Sequence, residues 1–203
     1  MITATAQCWA VTGPTGAGKS RFCGLLVERG ALLVEADRVG HVLLDRPPIR
    51  TELVAAFGAG ILAPAGTVDR ARLGAVVFGD PEARQRLDRI VHPALAAALC
   101  ARVAAARRAR SPLVILEAAV YFVLPGPPPV HWTVAVTAPP AVRLARLVAM
   151  GLEPAAADAR IAAQAHLEGT WDFADRIIAN DGRETTLAAH ADRLWRDCLA
   201  RQP

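Results

Sequence analysis

The sequence predicts an α/β fold built on a parallel sheet, and three observations predict it. Short apolar, β-branched runs alternate with longer stretches of helical spacing. The first run leads straight into a glycine-rich turn and a helical pattern. Carboxylates, Asp37 and Glu117, stand at the ends of two further runs, where a parallel sheet gathers functional side chains.

Gln7–Thr12 reads as a buried strand, 13–18 as the turn, and 19–29 as a helix carried by Phe22, Leu25 and Leu26. Gly30 stops that helix, and 31–35 is short enough for a second buried strand ending at Asp37. Helical patterns dominate 38–57 and 69–110, separated by a loop marked by Gly58, Gly60, Pro64 and Gly66. The runs 113–116 and Trp132–Thr137 are further parallel strands. Helices follow at 141–150 and 154–168, then a strand at Arg176–Ala179 and a last helix over 184–199.

A chain of 203 residues favours one domain. Its 53% hydrophobic content comes largely from alanine. The most apolar region, 113–136, is broken by Glu117 and by Pro125, Pro127, Pro128 and Pro129. No transmembrane helix is expected, and no basic region precedes the first apolar residues as in a secretory signal. The expectation is a soluble, cytoplasmic protein, monomeric or a small homo-oligomer, without a membrane partner.

Cys8, Cys23, Cys100 and Cys198 are scattered, as are the five histidines, so neither a zinc site nor a disulfide framework is indicated. A net charge of +4 suits an anionic partner. The densest basic stretch, Arg102, Arg107, Arg108 and Arg110, lies at a predicted helix end and complements the helix dipole. No aromatic residues interleave with it, so no nucleic-acid partner is expected.

Gly13-Pro14-Thr15-Gly16-Ala17-Gly18-Lys19-Ser20 fits G-x-x-x-x-G-K-[ST]. In that pattern backbone amides and a helix N-terminus converge on phosphate, and side chains at the glycines would block the approach. Gly13, Thr15, Gly16, Ala17 and Gly18 would line the nucleotide's phosphates. Lys19 would reach the β- and γ-phosphates of ATP, and the Ser20 hydroxyl would ligate the bridging Mg2+. A glycine-rich turn without a ligand is the rival reading. The chain contains 22 arginines and one lysine, and that lysine is Lys19. A compact ammonium fits inside such a loop where a forked guanidinium does not.

Four further segments resemble dephospho-CoA kinases, in family order across nearly the whole chain. They are Ala36-Asp37 with His41 and Leu43-Leu44; 66–70 with Leu73, Val77-Phe78 and Ile90-Val91-His92-Pro93; Arg160-Ile161-Ala162-Ala163-Gln164; and 174–182 ending Asn180-Asp181-Gly182. The resemblance implies a P-loop kinase fold over 1–203: a parallel β-sheet flanked by helices, with a helical acceptor-binding insertion at about 38–110 and a lid at about 141–168. It implies ATP-dependent phosphorylation of the ribose 3′-hydroxyl of dephospho-CoA, yielding coenzyme A, with ATP and dephospho-CoA as small-molecule partners.

On that resemblance Asp37 orients or deprotonates the acceptor hydroxyl; a helix-capping role is the alternative. His41, Arg70, His92 and Pro93, with Asp37 and Glu117, would surround the acceptor, although His92 would equally serve as a structural histidine. Glu117 would hold a magnesium-bound water or cap a turn. Arg146 and Arg160 would stabilise the transferring phosphoryl group or lie solvated on the surface. Asn180 and Gly182 would touch adenine or form a simple turn. The family's lid usually has a second arginine where this chain has Met150, and Arg143 is a candidate substitute. A kinase of another metabolite, and a non-catalytic nucleotide-binding paralogue, are the rival functions.

Overall fold

The computed structural model describes residues 6–77, 79–109, 111–181 and 184–200. Its five strands, β1 (Gln7–Thr12), β2 (Leu32–Glu35), β3 (Leu113–Glu117), β4 (Trp132–Thr137) and β5 (Arg176–Ala179), pair in parallel in the order β2-β3-β1-β4-β5. The period of two along each strand sends alternate side chains to opposite layers. Cys8 and Ala10 of β1 and Val114 and Leu116 of β3 face one core. Trp9, Val11, Leu113 and Ile115 face the other.

The second core is closed by α1 (Lys19–Val27) and α8 (Glu184–Ala200), whose Phe22, Leu26, Ala191 and Leu194 pack there. The first is closed by the helices that follow β2: α2 (Ala36–Leu44), α3 (Pro47–Phe57), α4 (Arg70–Val77) and α5 (Pro81–Ala106). The helical stretches expected at 38–57 and 69–110 are each two helices. Proline supplies the reason at both breaks, since it disfavours helix at the preceding residue and is well placed in a first turn. Pro47 starts α3 after Arg46 in extended conformation. Pro81 starts α5 after Asp80, which caps the helix by accepting from Glu82 N at 2.8 Å and Ala83 N at 3.1 Å.

By length and composition α5 would suffice to cross a membrane. Its Val91, Leu95, Leu99 and Val103, spaced four apart, are instead buried in the first core. Of the basic stretch, Arg107 follows α5 and donates to Ala6 O at 3.1 Å, tying the helix end to the chain before β1. Arg110 lies outside the described residues.

After β4 come α6 (Pro140–Ala149) and α7 (Pro154–Ala162). The helix expected to run through 154–168 ends at Ala162, followed by a 3-10 turn at Ala165–Leu167. All four cysteines are free thiols, and burial pushes Cys8 and Cys198 up to about 11.

One carboxylate fastens β5 to β4. Asp175 Oδ2 accepts from Thr133 N and Thr133 Oγ1, both at 2.7 Å, while Asp175 N donates back to Thr133 Oγ1 at 2.9 Å. These bonds hold the Asp175 pKa below its ordinary value, the hydroxyl donor contributing most. Thr133 is buried, so Asp175→Ala leaves its N–H without a partner and is expected to cost about 1–2 kcal/mol in denaturant unfolding. A depressed carboxylate pKa means that the stabilisation is complete above the ordinary value of 3.8 and is lost as pH falls through the folded-state value. The difference between wild type and variant should therefore shrink only in that acid range.

Candidate active site

β1 is the central strand, and the turn that leaves its carboxyl end enters α1. Gly13, with φ +130°, lies so near β4 that a Cβ would stand 2.1 Å from Val136 O. Gly18, with φ +101°, leaves no room either: a Cβ would stand 2.4 Å from Asn180 Nδ2. The glycines are thus required by close packing on the outer side of the loop. Gly18 is also the cap of α1; it has no side chain to bond the helix's first amides, and no acidic residue stands in the first turn. That end of the helix therefore offers free N–H groups and positive potential to an anion.

Lys19 Nζ donates to Pro14 O at 3.0 Å, folding the ammonium back across the loop. Burial lowers its pKa, opposed first by the Glu117 carboxylate and then by Asp37, while Arg160 adds to the lowering. The charges that act on Lys19 thus come from three elements: β3 through Glu117, α2 through Asp37 and α7 through Arg160. The Ser20 hydroxyl donates to Glu117 Oε1 at 2.7 Å. Beneath them the buried Cys23 thiol is pushed well above its ordinary pKa, by burial and then by the Glu117 carboxylate. It stays a neutral thiol beside that carboxylate.

The placements sharpen several expectations and correct others. Asp37 lies inside α2, not at its cap; the cap position is Glu35, and no side chain bonds there. Its carboxylate is exposed on the helix's first turn. Glu117 accepts from the Ser20 hydroxyl. Arg146, expected either to stabilise the transferring phosphoryl group or to lie solvated on the surface, holds the loop's carbonyls with its guanidinium. NH1 donates to Gly16 O and Ala17 O, both at 3.2 Å, and NH2 donates to Asn180 O and Oδ1 at 3.3 and 3.1 Å.

Asn180 is buried and is more than a turn residue: its Nδ2 donates to Ala17 O at 2.8 Å. Gly182 lies outside the described residues. Arg143 is also buried, only 6% exposed, with its backbone against Gly16 and its Nε without a hydrogen-bond partner. Met150 is 76% exposed at the end of α6.

His41 and Arg70 meet on the surface, Arg70 NH1 lying 2.8 Å from His41 Nε2. His92 faces Asp88 at 3.4 Å, one helical turn away, while its neighbour Pro93 is an exposed residue inside α5. The His166 pKa, lowered chiefly by burial and then by Arg84, also feels Asp88 and His92. His92 therefore belongs to a cluster between α5 and the segment after α7.

Two contacts of the loop were not foreseen from sequence. Thr15 N donates to Gln164 Oε1 at 2.6 Å, and the Cys23 thiol sits under Glu117. Gln164 was legible only as the last letter of Arg160-Ile161-Ala162-Ala163-Gln164, and Cys23 carried no signal beyond its burial on α1.

A family model described as dephospho-CoA kinase matches residues 7–186. A dephospho-CoA kinase from Symbiobacterium thermophilum is 38% identical over 190 residues, covering 92% of this chain and 79% of that relative. One from Anaeromyxobacter dehalogenans is 38% identical over 189 residues, covering 92% and 90%. Among solved structures, a Thermus thermophilus protein matches with a TM-score of 0.72 at 29% identity over 97% of both chains. A Campylobacter jejuni dephospho-CoA kinase matches with a TM-score of 0.60 at 22% identity, covering 95% of this chain and 97% of that one, a likeness of fold.

Proposed function

Since the chain belongs to the dephospho-CoA kinase family, we propose how its residues divide the work of that reaction. It is a kinase that uses ATP to phosphorylate dephospho-CoA, in coenzyme A biosynthesis. The observation that carries the residue assignment is the geometry at the phosphate loop: Lys19 Nζ folded back on Pro14 O at 3.0 Å and, next to it in the chain, Ser20 Oγ bonded to Glu117 Oε1 at 2.7 Å.

The amides from Thr15 to Ser20 hold the nucleotide's phosphates, and Lys19 follows the γ-phosphoryl group with its ammonium. Arg146 and Asn180 are positioning residues that fix the loop through its carbonyls. Arg160 faces the same centre from α7 and offsets charge on the equatorial oxygens. Asp37 accepts the proton of the ribose 3′-hydroxyl as that oxygen bonds to the γ-phosphorus and the bond to the β–γ bridging oxygen breaks, releasing ADP. The helices between β2 and β3, with His41, Arg70 and His92, form the acceptor-binding region, and α6 with α7 and the turn after it form the lid.

Ser20 and Glu117 present only oxygen, 2.7 Å apart, a hard donor pair that fits Mg2+. Among the described residues no group of three or more acidic, histidine or cysteine side chains would hold a metal alone, so the ion would come with the nucleotide. Bound there it would neutralise charge on the β- and γ-phosphates. In the wider setting, the protein acts on these small molecules without nucleic acid or membrane, as a cytoplasmic monomer or small homo-oligomer.

Purified protein mixed with ATP, Mg2+ and dephospho-CoA is expected to give ADP and coenzyme A in equal amounts. No turnover above background at high enzyme concentration would overturn this function. ADP release with a different hydroxyl acceptor, and none with dephospho-CoA, would move the assignment to another metabolite.

A further inference from the structure

The contact between Thr15 and Gln164 has a functional meaning that rests on the P-loop reading above. Thr15 N–H belongs to the loop whose amides receive phosphate, and Gln164 Oε1 accepts it at 2.6 Å. Gln164 is well placed to keep this bond. Its own N–H donates to Ile161 O at 3.0 Å, and its carbonyl accepts from Leu167 N at 2.9 Å, so its backbone is fixed at the end of α7. The carbonyl of the preceding residue, Ala163, accepts from Arg84 NH1 at 3.1 Å. Two consecutive residues thus tie the base of the lid to the phosphate loop on one side and to the first turn of α5 on the other.

An N–H engaged at 2.6 Å has one strong acceptor. The neutral carboxamide oxygen of Gln164 and an anionic phosphate oxygen would compete for it, and the charge-assisted bond is the stronger by about twofold. We propose that Gln164 is a positioning residue that competes with the nucleotide's phosphate for Thr15 N–H. Docking of the lid base on the loop then opposes filling of the loop. Phosphate entry frees Gln164, leaving the lid base attached to α5 through Arg84 and free to move against the loop. Gln164 thereby trades nucleotide affinity for release of the lid and of product.

The direction of the effect separates this role from a structural one. Losing a structural contact weakens binding, whereas losing a competitor strengthens it. Titration calorimetry with a non-hydrolysable ATP analogue and Mg2+ on the full chain provides the test. Gln164→Ala is expected to lower Kd by about threefold to tenfold, the value of one ordinary hydrogen bond. Gln164→Asn, one methylene shorter, should match it. Gln164→Glu places a carboxylate on the same N–H and should raise Kd by at least about tenfold, with the loss reversed as pH falls toward the carboxyl range.

Unchanged or weaker binding in both Gln164→Ala and Gln164→Asn, in protein that melts as wild type, would overturn the proposal while leaving the kinase reading intact. A wild-type chain that fails to bind the analogue would overturn the P-loop reading itself, and this proposal with it.

Discussion

Lys19→Arg is expected to lower kcat by about 10²–10³-fold, although it preserves the charge. The ammonium is folded across its own loop, 3.0 Å from Pro14 O. A guanidinium is planar, wider, and donates in a fixed fork, so it cannot follow the γ-phosphoryl group from inside the loop's backbone. The composition argues the same way: a chain with 22 arginines has a lysine only here. Burial already lowers the Lys19 pKa, which means that holding its charge costs folding energy. Lys19→Met should therefore abolish turnover without lowering the denaturant midpoint. Steady-state kinetics with an unfolding curve measures both, and near-normal turnover in Lys19→Arg would remove Lys19 from the reaction centre.

Asp37→Asn is expected to lower kcat by at least about 100-fold with little change in the KM for ATP. The carboxylate stands exposed on the first turn of α2, acting on Lys19 through space. Because the cap of α2 is Glu35, Asp37 is not needed to start the helix. Asparagine keeps its shape, and the lost charge near the helix N-terminus should cost only about 0.3–1 kcal/mol of stability. A kinetic defect far larger than the stability defect identifies a proton acceptor. Turnover within a few-fold of wild type would reduce Asp37 to a helix-terminal charge.

The parts of this molecule that were legible in the sequence are those whose causes are local. The central strands β1, β3 and β4 declare themselves as short apolar runs, because a strand buried on both faces needs apolar residues at nearly every position. The helix breaks before Pro47 and Pro81 were also written locally, in the prolines and in Asp80, but the helical periodicity on either side masked them. The loop was the clearest element of all. Its glycines answer to backbone geometry and to the neighbouring Val136 and Asn180, and no other residue type meets those limits.

The partners of long side chains were not legible. Arg146 looked like a lid arginine free to meet phosphate, and only the fold aims it at Gly16 O and Ala17 O, 130 and 129 residues back in the chain. Gln164 reaches Thr15 across 149 residues, and Asn180 reaches Ala17 across 163. His92 and Pro93 form a recognisable pair in sequence, yet the structure sets His92 against Asp88, one helical turn back in α5.

By itself, then, the sequence determined the parallel sheet and the phosphate loop with its Lys19, since each follows from residue type and near spacing, while the resemblance added Asp37 and Glu117 as candidates beside that loop. Only the tertiary structure decided which arginine bonds the loop's carbonyls and which side chain accepts from its Thr15 amide. A flexible side chain takes its direction from whatever the fold packs against it, and those neighbours come from the far end of the chain.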